Sequence, residues 1–286
     1  MTVFSRYEFN DAQRMFFEMK LLKKYPFVRR ERIGYSVLHR ELVLYSIGEG
    51  GTLIAAVFHA MERVGGAILC RYLFEKAREA KCRDRVNLCA IPLMNPDGVE
   101  IALRGADSAG RFSSSVRRVS RGNTALWQSN ARGVDLNHNF NAGFVALRES
   151  EIRHGYITKG ATRFSGGAPE TEPETKAICE LCRERFFSSV IALHSQGREI
   201  YADFGEVSDE SRKIAQRMAA VSGYTVSAPS GTAVGGGFKD WFYQTFHRPS
   251  FTIEIGLGKN PLDKSVADTE YARVKRMLDV VVNNDK

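Results

Sequence analysis

His59 and Glu62 stand three residues apart, directly after the apolar run Gly51–Phe58 (GTLIAAVF). At that spacing an imidazole and a carboxylate fall on one side of the turn or helical start that follows a strand. Mixed nitrogen and oxygen donors suit Zn²⁺, and a catalytic zinc site needs three protein ligands with one position left open. The pair therefore requires a third donor. The plainer reading is a histidine at a strand end and an exposed glutamate where a helix macrodipole favours it. Cys179 and Cys182 form a CxxC, but it sits inside the helical pattern Glu174–Phe187 and has no second CxxC. Buried free thiols are expected there, not a structural zinc site.

Changes of period along the chain show which elements must position these residues. Residues 10–24 carry Met15, Phe16, Met19 and Leu22 at helical spacing. Short strands are expected over Arg32–Ser36 and Glu41–Ser46. Thr52–Phe58 has the continuous apolar character of a strand buried on both faces. Gly65–Ala80 reads as a helix with Ile68, Leu69, Tyr72 and Leu73 on one side. Arg85–Leu93 reads as another buried strand, ended by the turn signal Asn95-Pro96-Asp97-Gly98. Residues 104–170, rich in Gly, Ser, Asn and Arg, predict a long functional loop. Thr171-Glu172-Pro173-Glu174 has the form of a capping box opening a helix to Phe187.

Val190–Leu193 predicts a strand ending at His194, and Ile200–Tyr201 begins another. Helices are expected over Ser208–Ser222, Phe238–Phe246 and Val266–Val282, with a strand over Ser250–Ile255. Strands alternating with helices imply an α/β sandwich around a mostly parallel sheet. Neither a repeat nor a linker interrupts the pattern, so one domain over residues 1–286 is expected.

His59, Glu62 and His194 each follow the C-terminal end of an expected strand, where open α/β sheets bind ligands. Glu254 lies on the short apolar strand FTIEI. A carboxylate in that setting needs a partner. It is either a salt-bridged glutamate at a strand end or a general base beside a metal.

Composition limits the remaining classes. The chain has 286 residues, 43% hydrophobic and 26% charged, as expected of a globular protein. It holds no apolar run long enough to span a membrane. The start MTVFSRYEFNDAQRM lacks the form of a secretory signal, so a cytoplasmic location is expected. Five cysteines, an odd number, fit a reducing compartment better than a disulfide framework. The net charge is +8, and arginines concentrate in Arg104–Arg121. That stretch has few aromatics and no nucleic-acid module around it; a solvated loop or a rim attracting an anionic substrate is the favoured reading. No nucleic-acid or membrane partner is expected, and the oligomeric state is left open.

His59-Ala60-Met61-Glu62, Asn95-Pro96-Asp97-Gly98, Val134-Asp135-Leu136-Asn137, Leu193-His194-Ser195 and Phe251-Thr252-Ile253-Glu254 occur in the order seen in zinc metallocarboxypeptidases. The chain resembles that family from about residue 25 to about 275. Within it, Leu193–Tyr201, Trp127–Asn137 and Lys239–Glu254 are most similar to the bacterial γ-D-glutamyl-diamino acid endopeptidases. The resemblance implies a three-layer α/β/α sandwich with a mixed, mostly parallel sheet. It also implies one Zn²⁺ per chain on His59, Glu62 and His194, with Glu254 as base and proton shuttle.

The departures are informative. Digestive carboxypeptidases carry an arginine after the asparagine matching Asn137, and it grips the terminal carboxylate; here the position is His138. A bidentate clamp is lost, which weakens the case for C-terminal exopeptidase action. The arginine that polarises the scissile carbonyl in many relatives is replaced by Gln128; nearby Arg132 would take over its task, bind a substrate carboxylate or support the loop. The substrate-covering tyrosine aligns with Thr232, in the flexible stretch Ser230–Gly237. Lys239 matches the base of the specificity pocket, where it would meet the distal carboxylate of meso-diaminopimelate or else point to solvent. Asp240 would receive an amino group of the same side chain or cap the helix. The expected activity is hydrolysis of the γ-D-glutamyl–meso-diaminopimelate bond of peptidoglycan stem peptides. The alternatives are a zinc carboxypeptidase or N-acyl amino acid amidohydrolase of the same fold, or a catalytically silent muropeptide-binding protein.

Overall fold

Successive side chains of a strand point to opposite faces of a sheet, so a strand apolar at every position must be covered on both sides. The computed structural model, which describes residues 8–82 and 86–283, shows that arrangement. In chain order the first half contains α1 (Asp11–Lys24), β1 (Arg29–Tyr35), β2 (Glu41–Ile47), β3 (Thr52–Ala56), α2 (Val64–Ala80), β4 (Leu88–Ile91), α3 (Pro96–Arg104) and α4 (Ser113–Ser120). There follow α5 (Phe144–Arg153), α6 (Pro173–Glu184), β5 (Ser189–His194), β6 (Glu199–Ala202), α7 (Asp209–Ser222), β7 (Thr225–Val226), α8 (Phe238–Phe246), β8 (Ser250–Glu254) and α9 (Val266–Val282).

The eight strands form one mixed sheet in the order β1-β2-β4-β3-β5-β8-β6-β7. Its centre, β4-β3-β5-β8, is parallel throughout, while β2 and β6 join it antiparallel on either side. Ile54 and Ala56 of β3, with Ile191 and Leu193 of β5, face a core completed by α1, α2, α7 and α9. Their neighbours Leu53, Ala55, Val190 and Ala192 face a second core made with α6 and α8, where Phe238, Trp241 and Phe242 are buried. The result is a three-layer α/β/α sandwich. Each large side chain fully buried this way stabilises the fold by about 1.5–3 kcal/mol.

Several local expectations are corrected. The strand expected over Thr52–Phe58 stops at Ala56, because Val57 takes φ +60 and leaves the ladder. The strand expected over Arg85–Leu93 is confined to Leu88–Ile91, and Arg85 lies outside the described residues, as does the start of the chain through residue 7. Asn95-Pro96-Asp97-Gly98 begins a helix: the Asn95 side chain accepts the Gly98 N–H at 3.0 Å, and Pro96 occupies the first helical turn. A Cβ on Gly98 would lie 2.3 Å from the Ser129 carbonyl oxygen, so the glycine permits a close approach of the loop before Asp135. The segment 104–170 is not one long loop, since it holds α4 and α5. Helix α1 turns Arg14, Phe17 and Leu21 inward and leaves Met15, Phe16 and Met19 exposed. The capping box at Thr171 does not form; the N-cap of α6 is Glu172, without a side-chain cap, and the helix ends at Glu184. All five cysteines are free, with Cys179 and Cys182 buried. No described helix is long and apolar enough to cross a membrane.

Glu174, on α6, is fully buried and accepts the Val37 N–H at 3.1 Å. Burial, with the nearby Asp97 and Glu172 charges, pushes its carboxyl up from 4.5 to about 8. The unfolded chain therefore sheds this proton at lower pH than the folded one. The associated stability is fully present below about pH 4.5 and is lost as pH rises through about 8. Glu174→Gln should remove the effect: unfolding free energy from urea melts should fall less between pH 5 and 8.5 than in the wild type, by about 1–4 kcal/mol. Parallel profiles for the two proteins would contradict the assignment.

Candidate metal centre

Three adjacent parallel strands end at one edge of the sheet and deliver the site. In register, Ala56 pairs with Leu193 and His194 pairs with Glu254, so β3, β5 and β8 release the chain side by side. His59 follows β3 after the kink at Val57, a β-branched residue in the left-handed region, which is costly unless the surroundings hold it. The Glu62 N–H then closes a turn on the His59 carbonyl at 3.0 Å, bringing the carboxylate back over the strand end. The donor atoms of His59, Glu62 and His194 all lie within 4.8 Å of one another.

Glu62 is the hub. Its Oε1 lies 2.9 Å from His59 Nδ1, and its Oε2 lies 2.9 Å from His194 Nδ1 while accepting the Ser195 N–H at 3.1 Å. His59 Nε2 lies 3.0 Å from Asp135 Oδ1. Asp135 is fully buried and also accepts the Asn137 and Arg163 backbone N–H groups. Burial alone would push both carboxyls up. The two imidazoles reverse this for Glu62, held at about 2, and His59 and His138 hold Asp135 well below the usual carboxylate range. Against burial, Asp135 and Glu62 raise His59 well above its ordinary value.

These contacts test whether the residues fit a metal ion. With Nε2–H donating to Asp135, a neutral His59 would aim the lone pair of Nδ1 at a carboxylate oxygen, and two acceptors would face each other. Only a proton or a cation relieves that contact, and a carboxylate behind a ligating histidine is the usual support for zinc. The residues fit. Glu254 points into the same space, where burial and the Glu62 charge push its carboxyl well above the usual range.

The centre opens into a cavity of about 320 Å³. Gln128, Asn137, His138, Lys239 and Asp240, all nominated by the sequence, line it together with the ligands. Asn137 Oδ1 accepts the Phe238 N–H at 3.1 Å, docking the start of α8 against the site. His138 is buried, with Nδ1 2.8 Å from Glu151 Oε1. Lys239 does not point to solvent; it is buried and donates to Asp240 and to the Asp203 carbonyl. Asp240 makes that ion pair and does not cap α8, whose N-cap is Gly237.

Arg132 takes the loop-supporting course among the roles weighed for it. Its backbone N–H and that of Val134 donate to Asn130 Oδ1, a tight turn with Gly133 at φ +78 that sends the side chain to Glu172, 3.5 Å away. It is not among the cavity-lining residues. The guanidinium on the cavity wall belongs to Arg163, which the sequence did not nominate. Asp135, Arg163 and Asn260 were all missed. Asp135 had a signal, because a candidate ligand histidine needs an acidic partner and one stood in the motif Val134–Asn137. A lone arginine or asparagine in a loop carries none.

Removing the support should weaken the site without unfolding it. Asp135→Ala is expected to lower zinc affinity about 10–100-fold, read by competition with a chromophoric chelator. Unchanged affinity would show that Asp135 does not orient His59.

Comparisons with known proteins bear on the family and the fold. The family model for zinc carboxypeptidases matches residues 17–272. The γ-D-glutamyl-L-diamino acid endopeptidase 1 of Lysinibacillus sphaericus is 35% identical over 269 residues, 88% of this chain and 66% of that protein. The uncharacterized protein YqgT of Bacillus subtilis is 30% identical over 264 residues, covering 85% of this chain and 69% of that one. The chain thus spans about two thirds of the length of these relatives. The solved structure of bovine thrombin-activatable fibrinolysis inhibitor in complex with tick carboxypeptidase inhibitor matches with TM-score 0.77 and 19% identity, over 98% of each chain, a likeness of fold. The chain belongs to the zinc carboxypeptidase family of hydrolytic peptidases.

Proposed function

We propose that the protein hydrolyses the γ-D-glutamyl–meso-diaminopimelate amide bond of peptidoglycan-derived peptides, with one Zn²⁺ per chain on His59, Glu62 and His194. The observation that carries the chemistry is the meeting of those donors with Glu254 at the ends of three neighbouring strands. The substrate class rests on the 35% identical endopeptidase and on the cavity wall. There the Lys239–Asp240 pair offers opposite charges to a zwitterionic side chain, and no arginine stands at residue 138 to grip a simple C-terminus.

Bound zinc would supply Lewis-acid polarisation of the scissile carbonyl and an acidified water. Glu254 takes the proton of the attacking water and returns it to the leaving amine. Its strand end pairs with that of His194 and it lines the same cavity, which sets the carboxylate beside the metal position for that transfer. Gln128, on the cavity wall, is assigned as donor to the developing oxyanion: its Oε1 is held by the Thr162 hydroxyl, and among the described residues its amide nitrogen reaches only the Met61 sulfur, 4.0 Å away. Asn137 and the Lys239–Asp240 pair hold the leaving amino acid.

Metal content and turnover separate these roles. Glu62→Ala should reduce bound zinc from about one per chain to below about 0.1, measured by atomic absorption. Glu254→Gln should keep the zinc and lower kcat/KM about 10²–10⁴-fold. Loss of metal in the second variant, or full activity in it, would overturn the assignment of Glu254 as base.

Mass analysis of products tests the substrate. L-Ala-γ-D-Glu-meso-diaminopimelate should yield L-Ala-D-Glu and free diaminopimelate. An intact peptide after incubation with the zinc-loaded protein, together with trimming of ordinary C-terminal residues, would replace this reading with carboxypeptidase action.

A further inference from the structure

We propose that Arg163 reads the free α-carboxylate of the γ-D-glutamyl unit on the acyl side of the scissile bond, and so selects γ-linked acidic peptides over ordinary α-peptides. The proposal rests on the substrate reading above.

The lysine and arginine side chains that line the cavity among the described residues are Lys239 and Arg163. They are not equivalent. Lys239 is buried and already neutralised by Asp240, with a further bond to the Asp203 carbonyl. The Arg163 guanidinium is only partly buried, and its bond on the cavity wall is donated to the Thr232 hydroxyl, a neutral partner. No carboxylate among the described residues pairs with it, whereas Arg132 faces Glu172. An uncompensated guanidinium beside a reaction centre attracts an anion, and its planar fork takes a carboxylate bidentately.

The backbone fixes where that charge sits. Arg163 adopts φ +59, and its N–H donates to Asp135 Oδ2 at 2.9 Å, the carboxylate that backs His59. The preceding residue, Thr162, holds Gln128 through its hydroxyl. The segment is therefore tied on one side to the metal centre and on the other to the side chain assigned to the oxyanion. Arg163 belongs to the wall around the scissile carbonyl, while Lys239 and Asp240 belong to α8.

Substrate chemistry supplies the matching anion. In a γ-glutamyl amide two methylenes lead from the scissile carbonyl to an α-carbon with a free carboxylate, about 5 Å from the reacting carbon when extended. An α-linked residue carries a charge at that distance only when it is itself a glutamate, so ordinary non-acidic α-peptides lack the anion. The position that would clamp a terminal carboxylate is taken by His138, engaged with Glu151. The carboxylate read near the reaction centre is thereby moved from the leaving side to the acyl side.

The test compares kcat/KM of zinc-loaded wild type, Arg163→Gln and Arg163→Lys on three peptides. These are L-Ala-γ-D-Glu-meso-diaminopimelate, the same peptide with D-isoglutamine, and the same peptide amidated on the L-centre carboxyl of diaminopimelate. Wild type should prefer the glutamate peptide over the isoglutamine peptide by about 10–100-fold. Arg163→Gln should lose about that factor on the glutamate peptide and on the diaminopimelate amide, but less than about threefold on the isoglutamine peptide. Arg163→Lys should recover part of it. Equal losses on all three peptides, with zinc content and thermal melts unchanged, would show a structural role and overturn the proposal. So would a loss that vanishes with the diaminopimelate amide and persists with isoglutamine.

If wild type cleaves none of the peptides, the proposed function fails, and calorimetric binding of L-Ala-D-Glu against L-Ala-D-isoglutamine decides about Arg163 separately. Tighter binding of the acid by wild type, abolished in Arg163→Gln, supports the carboxylate site; no discrimination overturns it.

Discussion

One carboxylate that must satisfy two imidazoles from distant parts of the chain is the constraint on which the site depends. Glu62 is nearly buried and meets His59 from its own turn and His194 from β5. Burying such a group unpaired would cost several kcal/mol. The pairing is possible because β3 and β5 are in register and terminate together, with β8 beside them. A one-residue slip between these strands would move each side chain to the other face of the sheet and dissolve the centre. The apolar packing on both faces of the parallel strands therefore also fixes the distances between ligands.

A second set of buried polar residues holds the first in place. Asp135 accepts from His59 and from two backbone N–H groups, Asn260 Nδ2 reaches Glu62 Oε1 at 3.4 Å, and Glu151 receives His138, Arg148 and Ser165. Groups of this kind, in low dielectric, strengthen one another when every member is satisfied. The charges also complement each other by position. Acidic groups gather around the two histidines, the Lys239–Asp240 pair is internally neutral, and the Arg163 guanidinium, bonded to the Thr232 hydroxyl and paired with no carboxylate among the described residues, also lines the wall.

Much of this could be read from the chain because the ligands sit where the period changes. The apolar runs before His59 and His194, and the strand carrying Glu254, are local signals, and each places a chemical group at a strand end. The α/β sandwich around a mostly parallel sheet followed from the same alternation, and its three-layer form from the resemblance to zinc carboxypeptidases. What stayed hidden depends on paths through irregular backbone. Arg132 and Arg163 look alike in sequence; only the tight turn at Asn130 and the positive φ at Arg163 decide which one reaches the cavity. Asn95-Pro96-Asp97-Gly98 reads equally as a turn and as a capped helix start, and the helical continuation to Arg104 settles it. The buried face of α1 is not marked by its apolar spacing, because Arg14, a charged residue, goes inward to Tyr45 and Glu18, and the flanking methionines stay out.

Asn95 has a consequence for how such a protein diversifies. Its single amide donates to the carbonyls of Phe58 and Gln128, both at 3.0 Å, and the Ala60 N–H joins the second of these. The turn carrying the first two ligands and the rim carrying Gln128 are thus riveted into one block. The loop presenting Arg163 is bound to the same block through Thr162 and Asp135, so the chain leading into α8 through Thr232 is the part of the wall with the most freedom to change without disturbing the hydrolytic engine.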